Sequence, residues 1–261
     1  MYTDYEIIIY DNNDIYNIVE KNFPEYLGKI KQITIGAILA DIFRYLILYL
    51  EGGIYSDLDC EPIKHINELL NENYMYYHGD SNRDNNFYMY KNKNIIDSRW
   101  DFKHNVCCNS VILNKKTNPA ILKCLGHTLN IQNVSTILSY EIHKDWMKGN
   151  NLLENSMRCV KGVGICQWFM ITEPKQEIFL KSFEKCIKNI DFLINLNNNN
   201  KNYIDIVFTN CGPQMFTDVI QDNINDKIKI LPSDFFCSGS FSMVPFTKNT
   251  FIKHLFTSSW H

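Results

Sequence analysis

No Cys-x-x-Cys pair occurs in this sequence of 261 residues, although it holds nine cysteines. Their number is odd, their spacing is irregular, and Cys107 and Cys108 are adjacent and poorly placed to bridge each other. That argues against a disulfide framework or a structural zinc site and points to reduced thiols, most of them small buried hydrophobes. A basic block is lacking too. Lys and Arg total 26 against 29 Asp and Glu, a net charge of -3, which speaks against a nucleic-acid partner. The opening residues, Met1 to Glu6, carry no secretory signal. No apolar run is free of charge: the longest, Ile33 to Leu50, has Asp41 and Arg44 near its middle. Such charges are expensive in a bilayer, so the run reads as a buried amphipathic helix and not a transmembrane segment. The expected location is cytoplasmic or peripheral to a membrane, with no transmembrane anchor. No shift in composition divides the chain, and residues 1–261 read as a single domain.

Strand and helix signals alternate. Glu6 to Tyr10 predicts a buried strand, and Asp14 to Lys21 a short helix. Thr34 is the expected cap of a helix running to about Glu51, with Gly52 as its left-handed stop. Ile54 to Leu58 then reads as a short strand and Glu61 to Leu70 as a loop with a short helix. Tyr74 to His78, Phe87 to Tyr90, Cys107 to Asn114, Gly164 to Ile171, Ile204 to Thr209 and Lys227 to Leu231 read as further strands. Helices are expected at Pro119 to Leu129, from Pro174 to about Ile194, and from Pro213 to Gln221, opened by its proline. Residues 195–202 are polar and low in complexity, a solvated loop. This order predicts an α/β fold with a mainly parallel sheet flanked by helices.

The densest chemistry lies in Ala40-Asp41-Ile42-Phe43-Arg44 and in Gly52-Gly53-Ile54-Tyr55-Ser56-Asp57-Leu58-Asp59. Asp41 and Arg44 are one helical turn apart, on one face. Arg44 can pin a carboxylate or phosphate through its fork of N–H donors, and Asp41 can accept hydrogen bonds from sugar or ribose hydroxyls. An intrahelical ion pair is the plainer account of these two. Asp57 and Asp59, alternating at a strand's end, can present both carboxylates to one site. Oxygen ligands of this kind suit Mn²⁺ or Mg²⁺, which takes few protein ligands and completes its shell with phosphates and water. Such a cation neutralises charge building on a departing diphosphate. Gly52 and Gly53 permit a sharp turn and close backbone approach.

The segment from Ala40 to Asp59 resembles the signature of family 32 glycosyltransferases, whose sugar-binding region contains a DXD motif and which include initiating α-1,6-mannosyltransferases. Cys166-Gln167-Trp168 followed by Pro174, Cys211 to Asp218 with its Gly212-Pro213, Ile230-Leu231-Pro232, and His254 with Ser258-Ser259-Trp260 are similar to later elements of that family. The resemblance implies a GT-A-like fold, a nucleotide-sugar donor, Mn²⁺ or Mg²⁺, and retention of anomeric configuration. It implies that Asp41 and Arg44 hold the donor sugar and that Asp57 binds ribose and sugar or meets the metal through water. Asp59 would be the direct metal ligand, and His254 a further metal or phosphate contact. Ser259 and Trp260 would contact the diphosphate. Gly52, Gly53, Tyr55, Gln167, Trp168, Gly212 and Pro213 complete the candidate substrate-binding set. GDP-mannose is the first choice of donor, on the strength of Cys166-Gln167-Trp168, with UDP-glucose or UDP-galactose open. A glycan, lipid or protein is the acceptor.

Two departures stand out. The usual first strand of the family is expected to be lacking, because the chain starts at the next element, and residues 130–162 read as an insertion, an acceptor-side lid. Two other readings compete. Haloacid-dehalogenase-type phosphohydrolases also use Asp-x-Asp after a strand, but Gly52-Gly53 and Cys60-Glu61-Pro62 fit their pattern poorly. A degenerate transferase that binds nucleotide sugar or glycan without turnover would suit a missing first strand.

Overall fold

The computed structural model describes residues 5–70, 74–77, 126–129, 134–142, 163–196, 203–231, 233–239 and 246–255. Residues 6–10 enter no ladder among the described residues, and Ile7, Ile8 and Ile9 are exposed, at 75%, 58% and 71%. The expected buried strand is therefore absent there. Three consecutive β-branched residues favour an extended backbone whether or not a neighbouring strand pairs with it. Asp11 caps α1 (Asn12–Asn22) in a reciprocal capping box with Asp14. Helix α2 (Pro24–Ile30) opens on its proline.

Helix α3 (Gly36–Leu50) is the spine of the molecule, with ten of its fifteen residues buried. Ile35, not Thr34, is its N-cap, and no side chain caps it. It ends where expected, and Gly52 has φ +67°. An added Cβ at Gly52 would come within 2.5 Å of the Pro174 nitrogen, so this glycine allows the turn after α3 to pack on the start of another element.

Strand β1 (Gly53–Ser56) follows, then β2 (Cys60–Pro62), α4 (Ile66–Leu70), β3 (Tyr74–Tyr77) and β4 (Gly126–Leu129). β4 replaces the end of the helix expected over Pro119 to Leu129; the rest of that helix lies outside the described residues, as do the strands expected at Phe87 to Tyr90 and Cys107 to Asn114. Then come β5 (Thr136–Ile142), β6 (Val163–Ile165), β7 (Phe169–Thr172), α5 (Glu177–Lys188) and α6 (Ile190–Ile194). A turn at residues 166–168 splits the single strand expected over Gly164 to Ile171 into β6 and β7.

Helix α7 (Tyr203–Asn210) stands where Ile204 to Thr209 was expected to be a strand. A short apolar run cannot distinguish the two by periodicity, and here the chain closes the helix with the Cys211 and Gly212 N–H groups on the Val207 carbonyl. Helix α8 (Pro213–Asn223), β8 (Ile228–Leu231), β9 (Ser238–Gly239) and β10 (Ile252–His254) complete the order.

The main sheet runs β1-β7-β5-β6, with β8 also paired to β5. β5 is its hub. It is antiparallel to β7 and β6 and parallel to β8. The sheet is thus mixed among the described residues, not mainly parallel. Residues 136–142 fall inside the expected insertion, yet they form this central strand and no lid. The rest of that stretch lies outside the described residues. One core packs α3, α5 and α8 against Leu138, Tyr140 and Met170 on one face of the sheet. A second gathers Ile137, Phe169 and Ile171 with Phe235, Phe236 and Phe251 on the other. Fully burying one such large apolar side chain is worth about 1.5–3 kcal/mol. β2, β9 and β10 form a small second sheet, with His254 opposite Cys60.

Candidate active site

The loop after β1 and the loop between β6 and β7 meet beside the middle of α3, at Arg44. The Asp57 N–H donates to the Trp168 carbonyl, and Arg44 donates to the Gln167 carbonyl. Around these contacts the site has two arms.

The first arm is buried. Asp41 Oδ1 lies 3.1 Å from the Arg44 guanidinium and accepts from the Gln167 amide at 3.1 Å, while the Cys211 thiol donates to Oδ2 at 3.7 Å. Arg44 also reaches Asp57 at 3.5 Å and lies over the Tyr55 ring, 5.0 Å from its centroid. The Tyr55 hydroxyl donates to Asp57 Oδ1 at 2.7 Å, so Tyr55 steadies both charges. Tyr45, fully buried, faces the Gln167 side-chain oxygen at 2.7 Å and the Cys211 carbonyl at 3.0 Å.

Burial pushes the Asp41 carboxyl up to about 7, with the Asp57 charge adding to the rise and Arg44, Cys211 and Gln167 opposing it. Burial also works against the Arg44 charge, but the anions around it, Asp57 foremost, more than restore it and raise its pKa. A buried ion pair of this sort is weak evidence for stability, since desolvation offsets its attraction. Arg44 Nε is moreover buried without a partner. A guanidinium held charged, with one N–H unused, suits an anionic or hydroxyl-rich ligand.

The second arm is the pair Asp59 and His254, with Oδ1 and Nε2 3.3 Å apart. Together with Cys60 they place one ligand atom each within 4.8 Å of one another. Burial lowers the pKa of His254 against the pull of Asp59 and Asp57, which favours the neutral imidazole that can ligate a cation. Burial pushes the Cys60 thiol up, so it stays protonated and is a poor ligand. The effective donors are then one carboxylate and one imidazole, a pair that can hold a divalent cation with most of its shell left for other ligands.

Asp57 does not share this geometry with Asp59. A turn at residues 58–59 follows β1, so the two carboxylates are not alternate residues of one strand, and Asp57 turns to Arg44 and Tyr55 instead. Trp168 joins the arms: its indole donates to the Phe236 carbonyl at 3.4 Å, and its ring lies 4.5 Å from that of His254.

The other candidates sort clearly. Gln167 is buried and holds Asp41 and Tyr45. Gly212 caps α8, and a Cβ there would come within 2.8 Å of Phe208, while Pro213 is buried at the first turn of α8. Both shape the turn that carries Cys211 to Asp41. Gly53 has φ +92° with open space beside it. Ser259 and Trp260 lie outside the described residues. Tyr45, Cys211 and Cys60 were not anticipated. Tyr45 and Cys60 each directly follow a motif residue, Arg44 and Asp59, which is the signal that could have marked them.

The geometry has counterparts in known proteins. Residues 1–76 match the family model for a glycosyltransferase sugar-binding region containing a DXD motif. The initiation-specific alpha-1,6-mannosyltransferase of Schizosaccharomyces pombe is 57% identical over 35 residues, 13% of this chain and 9% of that protein. The uncharacterized glycosyltransferase L373 of Acanthamoeba polyphaga mimivirus is 42% identical over 62 residues, 23% of this chain and 25% of that protein. Inositol phosphoceramide mannosyltransferase 3 of S. pombe is 30% identical over 70 residues, 27% of this chain and 20% of that protein. The matches thus span a quarter or less of each relative's length. Among the described residues no helix is long and apolar enough to cross a membrane. Residues 1–76, which hold Asp41, Arg44, Asp57 and Asp59, are thus similar to the DXD-containing sugar-binding region of glycosyltransferases.

Proposed function

We propose that this chain is a metal-dependent glycosyltransferase that moves a hexose, mannose by preference, from a nucleotide-sugar donor to an acceptor hydroxyl with retention at the anomeric carbon. The observation that carries the reading is the pairing of two unlike arms beside the middle of α3. Asp41, Arg44 and the partly exposed Asp57 form a charged cluster, and Asp59 with His254 forms a separate oxygen–nitrogen donor pair. Mannose as the sugar is favoured because two of the relatives are named mannosyltransferases.

In this reading Asp41 accepts hydrogen bonds from the sugar hydroxyls. Arg44, fixed by Asp41, Asp57, the Gln167 carbonyl and the Tyr55 ring, supplies positive charge to the donor. Gln167, itself clamped by Tyr45, sets the orientation of Asp41. Asp59 and His254 would hold Mn²⁺ or Mg²⁺. When bound, that cation supplies positive charge against the diphosphate that leaves. Preorganised groups of this kind act because they need no reorganisation as charge develops. The test is release of nucleoside diphosphate from a panel of GDP- and UDP-sugars with Mn²⁺, followed by NMR of the product's anomeric centre. Release that is abolished by Asp59→Ala, with a product of the donor's configuration, is the expected result. Binding without release would make the chain a sugar-nucleotide-binding module, and an inverted product would remove retention.

A further inference from the structure

The Tyr45 hydroxyl faces two oxygens, the Gln167 side-chain oxygen at 2.7 Å and the Cys211 carbonyl at 3.0 Å. It carries a single hydrogen, so it cannot serve both fully while the Gln167 amide is turned this way. The amide nitrogen meanwhile donates to Asp41 Oδ1 at 3.1 Å. Exchanging the oxygen and nitrogen of that amide relieves the conflict on one condition. The amide oxygen then faces Asp41 Oδ1, and two oxygens at that distance need a proton between them. A protonated Asp41 supplies it. Asp41 donates to Gln167, Gln167 donates to the Tyr45 oxygen, and Tyr45 donates to the Cys211 carbonyl, so that each of these buried groups has its own partner.

The charges favour the same exchange. Arg44 stands between two carboxylates, Asp41 and Asp57. Asp57 is 27% exposed and has the Tyr55 hydroxyl as a further donor, whereas the Asp41 side chain is 6% exposed. Arg44 and Asp57 balance each other, and a second negative charge costs most on the more deeply buried acid. The titratable groups that bear on Asp41 and Tyr45 are Arg44 on α3, Tyr55 on β1 and Asp57 after it, Cys186 on α5, and Cys211 before α8. Arg44 is the cation among them and keeps the ionised form of Asp41 accessible. The carboxyl accordingly lies at about 7, where both forms are populated near neutral pH.

We propose that the Asp41 proton and the Gln167 amide move together, with Tyr45 positioning both, and that a nucleotide sugar binds the ionised form and so sends the proton to solvent. This rests on the transferase reading. Sugar hydroxyls donate more strongly to a carboxylate than to a neutral acid. The ionised form takes the amide nitrogen toward Asp41, and the neutral form takes the amide oxygen.

Calorimetry on the full chain with saturating Mn²⁺ tests this, using GDP-mannose or whichever GDP- or UDP-sugar binds, in buffers of different ionisation enthalpy. The wild type should release most of one proton on binding at about pH 6, and its affinity should rise about tenfold from about pH 6 to about pH 8. Asp41→Asn should release none and bind weakly without that pH dependence, which separates Asp41 from His254. Tyr45→Phe takes two hydrogen bonds from the neutral form and one from the ionised form. The Asp41 carboxyl, followed by NMR in the ligand-free protein, should therefore titrate about one pH unit lower in that variant. A Tyr45 that served packing alone would lower affinity equally at every pH and leave the midpoint in place. An unmoved midpoint overturns the inference, as does nucleotide-sugar binding by the wild type without proton release. A wild type that binds no nucleotide sugar, while Asp41 titrates as described, instead overturns the transferase reading and the sugar-linked step with it.

Discussion

Arg44 shares Nη2 between Asp41 and Asp57, gives Nη1 to the Gln167 carbonyl, and lays its guanidinium over the Tyr55 ring. A point charge cannot reproduce that fan, so Arg44→Lys should behave as a damaging substitution and lower the affinity for nucleotide sugar by about tenfold. Arg44→Met leaves carboxylates without their cation and should destabilise the fold by about 3 kcal/mol in urea unfolding. Asp41 carries a pH signature. Its carboxyl is raised to about 7 in the folded chain, so the native state holds that proton more tightly than the unfolded chain does. Its contribution to stability is therefore complete at acid pH and declines as pH rises from the ordinary carboxylate range, about 4, to about 7. Asp41→Asn should remove this part of the slope when urea midpoints are plotted against pH. An unchanged slope would show that Arg44 holds Asp41 ionised throughout.

At the scale of elements, the turn from α3 into β1 sets the spacing between the arms. Gly52 and Gly53 both have positive φ, but only Gly52 is crowded, by the start of the segment that leads to α5. Gly53→Ala should cost about 1 kcal/mol from backbone strain alone, and Gly52→Ala should cost clearly more, about 3 kcal/mol, because Pro174 must also move. Urea unfolding of the two variants separates these terms. Much of this region was legible in the sequence: α3, its glycine stop, the Asp41–Arg44 face and the neighbourhood of Asp57 and Asp59 all follow from local spacing. The divergence of Asp57 from Asp59 did not, because a turn breaks the strand's alternation after Ser56. Gln167 was legible as a candidate, but its task was not. Its partners Asp41 and Tyr45 lie more than a hundred residues away and meet it only after folding. The same holds for α7, where tertiary packing decides between helix and strand, and for β5, whose place as the hub depends on β6, β7 and β8.

For the whole molecule, the sheet acts as a partition. Helix α3 lies on one face with the side chains suited to a sugar; His254, reached through β10 and the small second sheet, comes from elsewhere and meets Asp59 just beyond β1. This division makes the arms separable by ligand. Calorimetric titration with Mn²⁺ present, using the nucleoside diphosphate alone and then the matching nucleotide sugar, tests it most directly. Asp59→Ala should weaken both ligands by about tenfold or more, whereas Asp41→Asn should weaken only the nucleotide sugar and leave the diphosphate within about twofold. If the two variants weaken both ligands alike, or if Asp59→Ala leaves the diphosphate untouched, the assignment of sugar to one arm and cation to the other is wrong.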